Sequence, residues 1–512
     1  MWDKRETYLQ EGLSLLQPLV GSRALRPATS FGLLVRGGHA CLRLRRGRAS
    51  SSACFAFGST VQERRTKRSV SRARLTAYHI LRRVEEEGAY SSVLLALTTD
   101  DLSASDRRLC YELVLGVLRR QIWLDRLIEH YAARPTDELD PAVRRALRLG
   151  LYQLRCLARV PASAAVNDAV NLVRLARRGF AAGLVNAVLR RAAREVEFDP
   201  VAAIADPVER LSVESSHPIW LLKRWIAHFG MEETRAFARA NNEPAPVAFR
   251  LTPKAESNAV LQRLREQGVE FEASSVASCA WRTPAISGAL RALIAEGLIY
   301  LQDEASQLVA CALGAKAKER VFDACAAPGS KATLIAALTN NRAMIVAGDL
   351  HLHRLHTVRA LAHQQGAENI HLVNLNAERP LPFEEETFDR VLVDAPCSGT
   401  GTLRRNPEIR YRLRPSDIAE LQARQTRILL ETAKAARKRG RLVYSTCSVE
   451  PEENEDVVRE FLRACPQARI AWEALPAALP RTDFGVRTWP HREGTDGFFF
   501  TAVEFSAFDR TA

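Results

Sequence analysis

Apolar positions change period along this chain, and each change predicts a change of architecture. From Ser69 to about Arg194 they recur at helical spacing almost throughout. Ser105-Asp-Arg-Arg opens one helix, with Leu109, Leu113 and Val117 on its apolar face beside Val114 and Leu118. Asp140-Pro141 reads as an N-cap followed by proline at the first helical position. The helix it starts sets Val143, Leu147, Leu151 and Leu154 on one face, with Arg144, Arg145, Arg148 and Arg155 largely off it. The segments 167–172 and 183–191 supply two further helices. A connecting helix begins at His217, and Asn241-Asn-Glu-Pro-Ala-Pro246 breaks the chain before a strand at 247–251. From about Asp303 onward, strand-length apolar runs at 321–323, 345–349, 370–375, 391–394 and 442–445 alternate with helical stretches. That alternation predicts a parallel, doubly wound sheet. A closing strand pair ends at 498–504.

Chemistry-bearing residues collect where those runs stop. Val391-Leu-Val-Asp394 leads into Ala-Pro-Cys397-Ser-Gly-Thr-Gly401, and Arg441-Leu-Val-Tyr-Ser445 leads into Thr-Cys447-Ser448. In an open α/β sheet, ligands bind outside the carboxyl ends of the strands, so the two thiols are expected to face one cleft. Upstream, Val321-Phe-Asp323 runs into a small-residue turn and then a helix, with spacing that fits neither a dinucleotide fingerprint nor a Walker loop. Ala326, Ala327 and Gly329 permit close approach of a ligand to the backbone, and the free amides of the following helix suit a carboxylate. Asp349 ends the next run, placed to accept from a ribose diol. The site therefore suits a small adenosine-containing ligand with a carboxylate.

The net charge of +14 points to nucleic acid only in part. Residues 1–74 hold 15 Lys or Arg against 4 Asp or Glu, which leaves about +3 for the remaining chain. RNA contact must then rest on local groups. The candidates are Arg404, Arg405, Arg410 and Arg412, the arginine faces of the helical block, and Arg250 with Asn241 and Asn242. A solvated helix face or a linker contact is the plainer meaning of each. No apolar run reaches the length of a membrane span. The ten cysteines show no C-x-x-C pair and no histidines at zinc spacing, so neither a metal site nor a disulfide framework is expected. Cys110, Cys156, Cys279, Cys311 and Cys465 read as small core residues.

The ordered set Asp323-Ala-Cys-Ala-Ala-Pro-Gly329, Asp394-Ala-Pro-Cys-Ser-Gly-Thr-Gly401 and Ser445-Thr-Cys-Ser448 resembles the RNA (cytosine-5) methyltransferase family. Gly401-Thr-Leu-Arg-Arg-Asn-Pro-Glu408, Val449-Glu-Pro-Glu-Glu-Asn454 and Asp496-Gly-Phe-Phe499 extend the likeness, which runs from about Ser69 to about Glu504. The resemblance implies a multidomain fold: an all-α NusB-like domain, a small α/β connecting subdomain, and a Rossmann-like class I methyltransferase domain dependent on S-adenosyl-L-methionine. The expected divisions are a basic, disordered extension at 1–68, the helical RNA-binding domain at 69–195, linker helices and the small subdomain at 196–302, and the methyltransferase domain at 303–508.

The same resemblance implies methyl transfer to C5 of a cytosine in 16S rRNA, through a covalent cysteine–C6 adduct. Alternatives are the same chemistry on tRNA or large-subunit rRNA, and a non-catalytic RNA-binding or ribosome-assembly module. DNA fits less well, because that chemistry uses one nucleophile after Pro-Cys and flips its base from a duplex, whereas RNA loops expose cytosines already. A cytoplasmic monomer that meets rRNA before full subunit assembly, with no membrane or DNA partner, is the corresponding expectation. Carried onto this chain, Cys447 is the nucleophile, Cys397 the second cysteine for loss of the C5 proton and product release, and Asp394 the partner of the cytosine N3 edge. Lys331 holds cofactor or substrate. Cofactor contacts fall on Cys325, Ala326, Ala327, Pro328, Gly329, Ser330, Lys331, Asp349, Asn376 and Asp394. Two positions depart from the family pattern: Ser330 stands where a second glycine is usual, and Asn376 where an acid is usual.

Overall fold

The computed structural model of this chain describes residues 70–506, so the extension assigned to 1–68 lies outside the described residues. Seven helices open the described chain: Arg72–Glu87, Ser91–Thr98, Ala104–Arg119, Gln121–Ala132, Pro141–Cys156, Ala162–Leu175 and Ala182–Arg194. Leu113, Leu124, Leu147, Leu151, Val185 and Leu189 share their core. Asp140 caps the fifth helix by accepting from the Ala142 amide at 2.9 Å, with Pro141 at the first position. The cap of the third helix is Ser103, not Ser105. Its hydroxyl accepts from the Asp106 amide at 3.1 Å.

The arginines of the fifth helix correct the sequence reading most sharply. Arg145 and Arg148 are 2% and 6% exposed. Arg148 grips both oxygens of Asp125 at 2.7 Å, and Arg145 bonds Glu85 at 2.7 Å and Glu86 at 2.8 Å. Arg144 reaches Glu85 at 3.0 Å, and Arg155 donates to the Glu195 carbonyl at 3.0 Å. Arg145 and Arg148 tie the central helix to its neighbours from inside the domain, so they form neither an RNA face nor a solvated one, whereas Arg144 and Arg155 are half-buried and paired. Periodicity separates charged from apolar positions, but it cannot tell a solvated charge from one neutralised by acids on other helices.

Three linking helices, Pro207–Ser215, Ile219–Phe229 and Met231–Ala240, precede a small antiparallel sheet. Its strands are β1 (Val247–Leu251), β2 (Glu272–Ala273), β3 (Ala280–Thr283) and β4 (Ile299–Leu301), in the order β2-β3-β1-β4. Arg250 on β1 is fully buried. It donates to Gln302, Thr333 and Gln365, and to the Ser330 carbonyl at 3.1 Å, so it braces the methyltransferase fold and is not available to RNA.

The last sheet comprises β5 (Arg320–Asp323), β6 (Met344–Asp349), β7 (Ile370–Asn374), β8 (Phe388–Asp394), β9 (Ala436–Thr446), β10 (Ala468–Ile470), β11 (Val486–Thr488) and β12 (Phe498–Phe505). Its order is β10-β12-β9-β8-β5-β6-β7, with β11 against β12. The five from β9 to β7 are parallel, and β12 lies antiparallel to β9. Continuous apolar runs such as Val391-Leu-Val393 suit strands covered on both faces. Phe499 and Phe500 on β12 are likewise both buried, one toward each face, and each adds roughly 1.5–3 kcal/mol of burial. Strand β9 starts six residues before the expected position, because Ala436 pairs with Phe388 across an irregularity that the polar run Arg437-Lys-Arg439 conceals. Because the central strands are parallel, Asp323, Asp349, Asp394 and Thr446 all end at one edge.

Candidate active site

The crossover between β5 and β8 makes the topological switch point, and the reactive residues gather outside it. Cys397 follows β8 and Cys447 follows β9. Their sulfurs lie 3.3 Å apart, both half-buried and both free thiols. The second loop is pinned to the first by the Gly401 amide, which donates to the Cys447 carbonyl at 2.9 Å. A Cβ on Gly401 would sit 1.8 Å from the Gly497 carbonyl oxygen, so this crossing of backbones requires glycine. The Cys447 sulfur, and burial after it, hold the Cys397 thiol well above its usual range.

Asp394 ends β8 with both oxygens engaged. Ser445 Oγ donates to one at 2.7 Å and Lys331 Nζ to the other at 2.6 Å. Lys331 lies in the first turn of the helix Ser330–Leu338, over the Phe498 ring. Burial opposes its charge, but Asp394 outweighs burial and holds the ammonium above its ordinary value. Sequence and structure thus bring Cys397, Cys447, Asp394 and Lys331 to one cleft.

The remaining predicted residues lie at the ends of β5, β6 and β7. Cys325, Ala326, Ala327 and Pro328 form the turn after β5, and Gly329 caps the next helix with φ of 106°. Ser330 is the first helical residue and is absent from the positive-φ residues, so its Cβ brings no strain. Burial pushes the Cys325 thiol up, with Asp349 and Asp323 adding to it, so it stays protonated. Asp349 Oδ1 accepts from the His351 amide at 3.0 Å, and Arg354 stands 3.5 Å from Oδ2. Asn376 already uses its amide oxygen, which accepts from the Glu378 amide at 2.9 Å. That bond closes a local turn and orients the carboxamide.

Sequence reasoning passed over Asp323 as a site residue. It is 1% exposed, and neither carboxylate oxygen has a hydrogen-bond partner among the described residues. Burial, with the Asp394 charge second, pushes its carboxyl up to about 7. The signal available in the sequence was its place at the end of the first strand of the sheet.

The arginines of the loop after Cys397 do not form an RNA patch. Glu408 is buried and accepts from the Ser91 amide at 2.7 Å and the Ser91 hydroxyl at 2.8 Å. Arg412 donates to the carbonyls of Val84, Gly88 and Ala89, closing the end of the helix Arg72–Glu87. Arg410 is fully buried against Asn242, Ser215 and Asn241, so that asparagine pair also serves packing. Arg405 pairs with Asp303 and Asp496 at 2.8 Å, and Arg404 is buried against Asp496. The loop that carries Cys397 therefore locks the helical domain onto the methyltransferase domain.

Comparisons with known proteins bear on this arrangement. Residues 310–504 match the family model for 16S rRNA methyltransferase RsmB/F, residues 71–194 the NusB family, and residues 217–282 the ferredoxin-like domain of RsmF/B-like methyltransferases. The probable ribosomal RNA small subunit methyltransferase B of Bacillus subtilis is 37% identical, over 83% of this chain and 97% of the relative. The chain belongs to the RsmB/F methyltransferase family. Ribosomal RNA small subunit methyltransferase B of Pseudomonas putida is 35% identical, over 84% of this chain and 98% of its own length. The crystal structure of PH0851 superposes with a TM-score of 0.72 at 28% identity, covering 85% of this chain and 98% of that one.

The methyl donor of this RsmB/F enzyme is S-adenosylmethionine, and the residues present fit it. The buried Asp323 carboxyl, whose oxygens have no hydrogen-bond partner among the described residues, would suit the donor's ammonium group. Gly329 keeps the helix entrance free of a side chain, with Val358 3.1 Å from where a Cβ would stand. Asp349 offers acceptor oxygens at the end of β6 for a diol.

Proposed function

We propose that this protein methylates C5 of a cytosine in small-subunit rRNA through a covalent adduct between Cys447 and C6 of the base. The observation that carries the reading is the 3.3 Å approach of two thiols at adjacent strand ends, beside an Asp394 held by Lys331 and Ser445. C5 of cytosine is a poor nucleophile. Addition of the Cys447 sulfur to C6 makes C5 enamine-like and able to accept a methyl group. S-adenosylmethionine supplies that methyl as an activated sulfonium. Asp394 hydrogen-bonds the N3 edge and stabilises charge that builds up as the adduct forms. Lys331 and Ser445 keep Asp394 in place.

Cys397 stays a neutral thiol in this reading, because the adjacent sulfur and burial disfavour its charge. The C5 proton must leave, the C6–S bond must break, and Cys447 must be restored. Cys397 can pass its thiol proton to the departing Cys447 sulfur and take the C5 proton in exchange, so that the C6–S bond breaks and both thiols are restored. Cofactor contacts are assigned to the turn 325–331, Asp349, Asn376 and Asp394, with Asp323 added. Small-subunit rRNA is the substrate class named for the relatives, and their near-complete coverage supports extending it here. The domains of the proposal follow the same division: helical 69–195, linking 196–302 and catalytic 303–508.

The test uses RNA and two variants. Cys447→Ala is expected to abolish methylation and adduct formation, and Cys397→Ala to accumulate a protein–RNA adduct that survives a denaturing gel. Wild-type turnover by Cys447→Ala would end the assignment. Bisulfite sequencing of the rRNA identifies the base.

A further inference from the structure

The stretch Val449-Glu-Pro-Glu-Glu-Asn454 has no part in the chemistry above, yet one of its carboxylates touches both cysteine loops. Glu453 is fully buried. Its Oε1 accepts from the backbone amide of Ser398 at 2.8 Å and from Gln425 Nε2 at 3.0 Å. Its Oε2 accepts from the hydroxyls of Ser398 and Ser448. Those serines are the residues immediately after Cys397 and Cys447, and their hydroxyls lie 3.0 Å apart. Both are buried. Gln425 also donates to the Pro396 carbonyl at 2.9 Å, on the other side of Cys397. Tyr444 donates to the Glu453 carbonyl at 2.6 Å, and Asn454 to the Ser448 carbonyl at 2.9 Å, so the carboxylate itself is held.

We propose that Glu453 is the positioning residue that sets the separation of the two thiols, by holding both following serines on one carboxylate. It does not reach substrate and acts only through the loops. A buried carboxylate accepting four hydrogen bonds is stiff, because every alternative position leaves a buried donor unpaired. The proposal rests on reading Cys397 and Cys447 as the reacting pair, but the spacing it explains can be measured without RNA.

Phenylarsine oxide bridges two thiols only when they are close. It forms two As–S bonds, and its oxygen leaves as water with the two thiol protons. Cys279 and Cys311, also 3.3 Å apart, lie in the same chain and serve as an internal control. In the full-length wild type, mass spectrometry of peptides is expected to find the arsenical across both pairs. Displacing reacting groups by about 1 Å costs on the order of 100-fold, so Glu453→Ala and the double variant Ser398→Ala/Ser448→Ala should bridge Cys397 to Cys447 more than about tenfold slower. The control pair should keep its wild-type rate in both. Glu453→Gln keeps the shape and the Oε1 acceptor, and the serine hydroxyls can turn to accept from its amide, so it should restore bridging.

Wild-type bridging at Cys397 and Cys447 in Glu453→Ala would overturn the proposal. So would parallel loss at both pairs, which marks general loosening, or failure of the Gln variant to rescue. Intact bridging in a wild-type protein that methylates no RNA would instead refute the catalytic reading and leave the role of Glu453 standing.

Discussion

Replacing Asp323 by asparagine tests the cofactor end of the cleft. The carboxyl is buried without a partner, and its folded value of about 7 compares with an ordinary 3.8. Between those values the folded chain keeps a proton that the unfolded chain has released. Stability therefore falls as pH rises through that window and is lowest above pH 7. At about 1.4 kcal/mol per pH unit the gap is worth ~4 kcal/mol. The replacement carboxamide carries no charge, so D323N without donor should be the more stable protein at pH 8, by up to ~4 kcal/mol, and about equal near pH 4. Donor binding should show the opposite trend, because the ammonium group pairs with the ionised carboxylate. Wild-type affinity for S-adenosylmethionine should rise about tenfold per pH unit up to pH 7 and then level off. Binding should release a proton, seen calorimetrically as heats that depend on the buffer's ionisation enthalpy. D323N should bind weakly with a flat profile. A wild-type affinity constant from pH 5 to 8, or a D323N protein less stable than wild type at pH 8, would refute the argument.

Other predictions concern how the parts are held. Arg148→Ala leaves Asp125 without its bidentate partner and should cost about 3–5 kcal/mol in thermal or denaturant unfolding. RNA affinity and its salt slope should be unchanged in that variant, since the side chain faces the domain interior. Glu408→Ala strips the acceptor from a buried amide and a buried hydroxyl at Ser91, worth about 2–5 kcal/mol together. Hydrogen exchange should report it first at the start of the helix Ser91–Thr98. Gly401→Ala forces the Cys397 loop away from the backbone at Gly497, with a stability loss of about 1–3 kcal/mol or more. Reactivity of Cys447 toward a thiol reagent should change in parallel, and an unchanged rate would show that this contact does not control the loop.

The sequence by itself determined the local and periodic parts of this protein. Helical spacing from Ser69 to about Arg194, the Asp140-Pro141 cap, and apolar runs of which three end in Asp323, Asp349 and Asp394 are short-range signals, and they translate directly into elements. Once the central strands are parallel, Asp323, Asp349, Asp394 and the two cysteines must share an edge, so the cleft was legible too. What only the tertiary structure decided is which charges are satisfied and by whom. Arg145, Arg148, Arg250, Arg410 and Arg412 look like a basic surface in one dimension, but acids and carbonyls up to 328 residues distant consume them. Asp323 looks like any strand-ending acid, and only the fold leaves both of its oxygens bare. Glu453 looks like one carboxylate in an acidic turn, and only the fold brings Ser398 and Ser448 to it. The physical reason is the same throughout. Hydrophobic period is set by neighbours along the chain, whereas the free energy of a buried polar group depends on partners that chain order does not reveal.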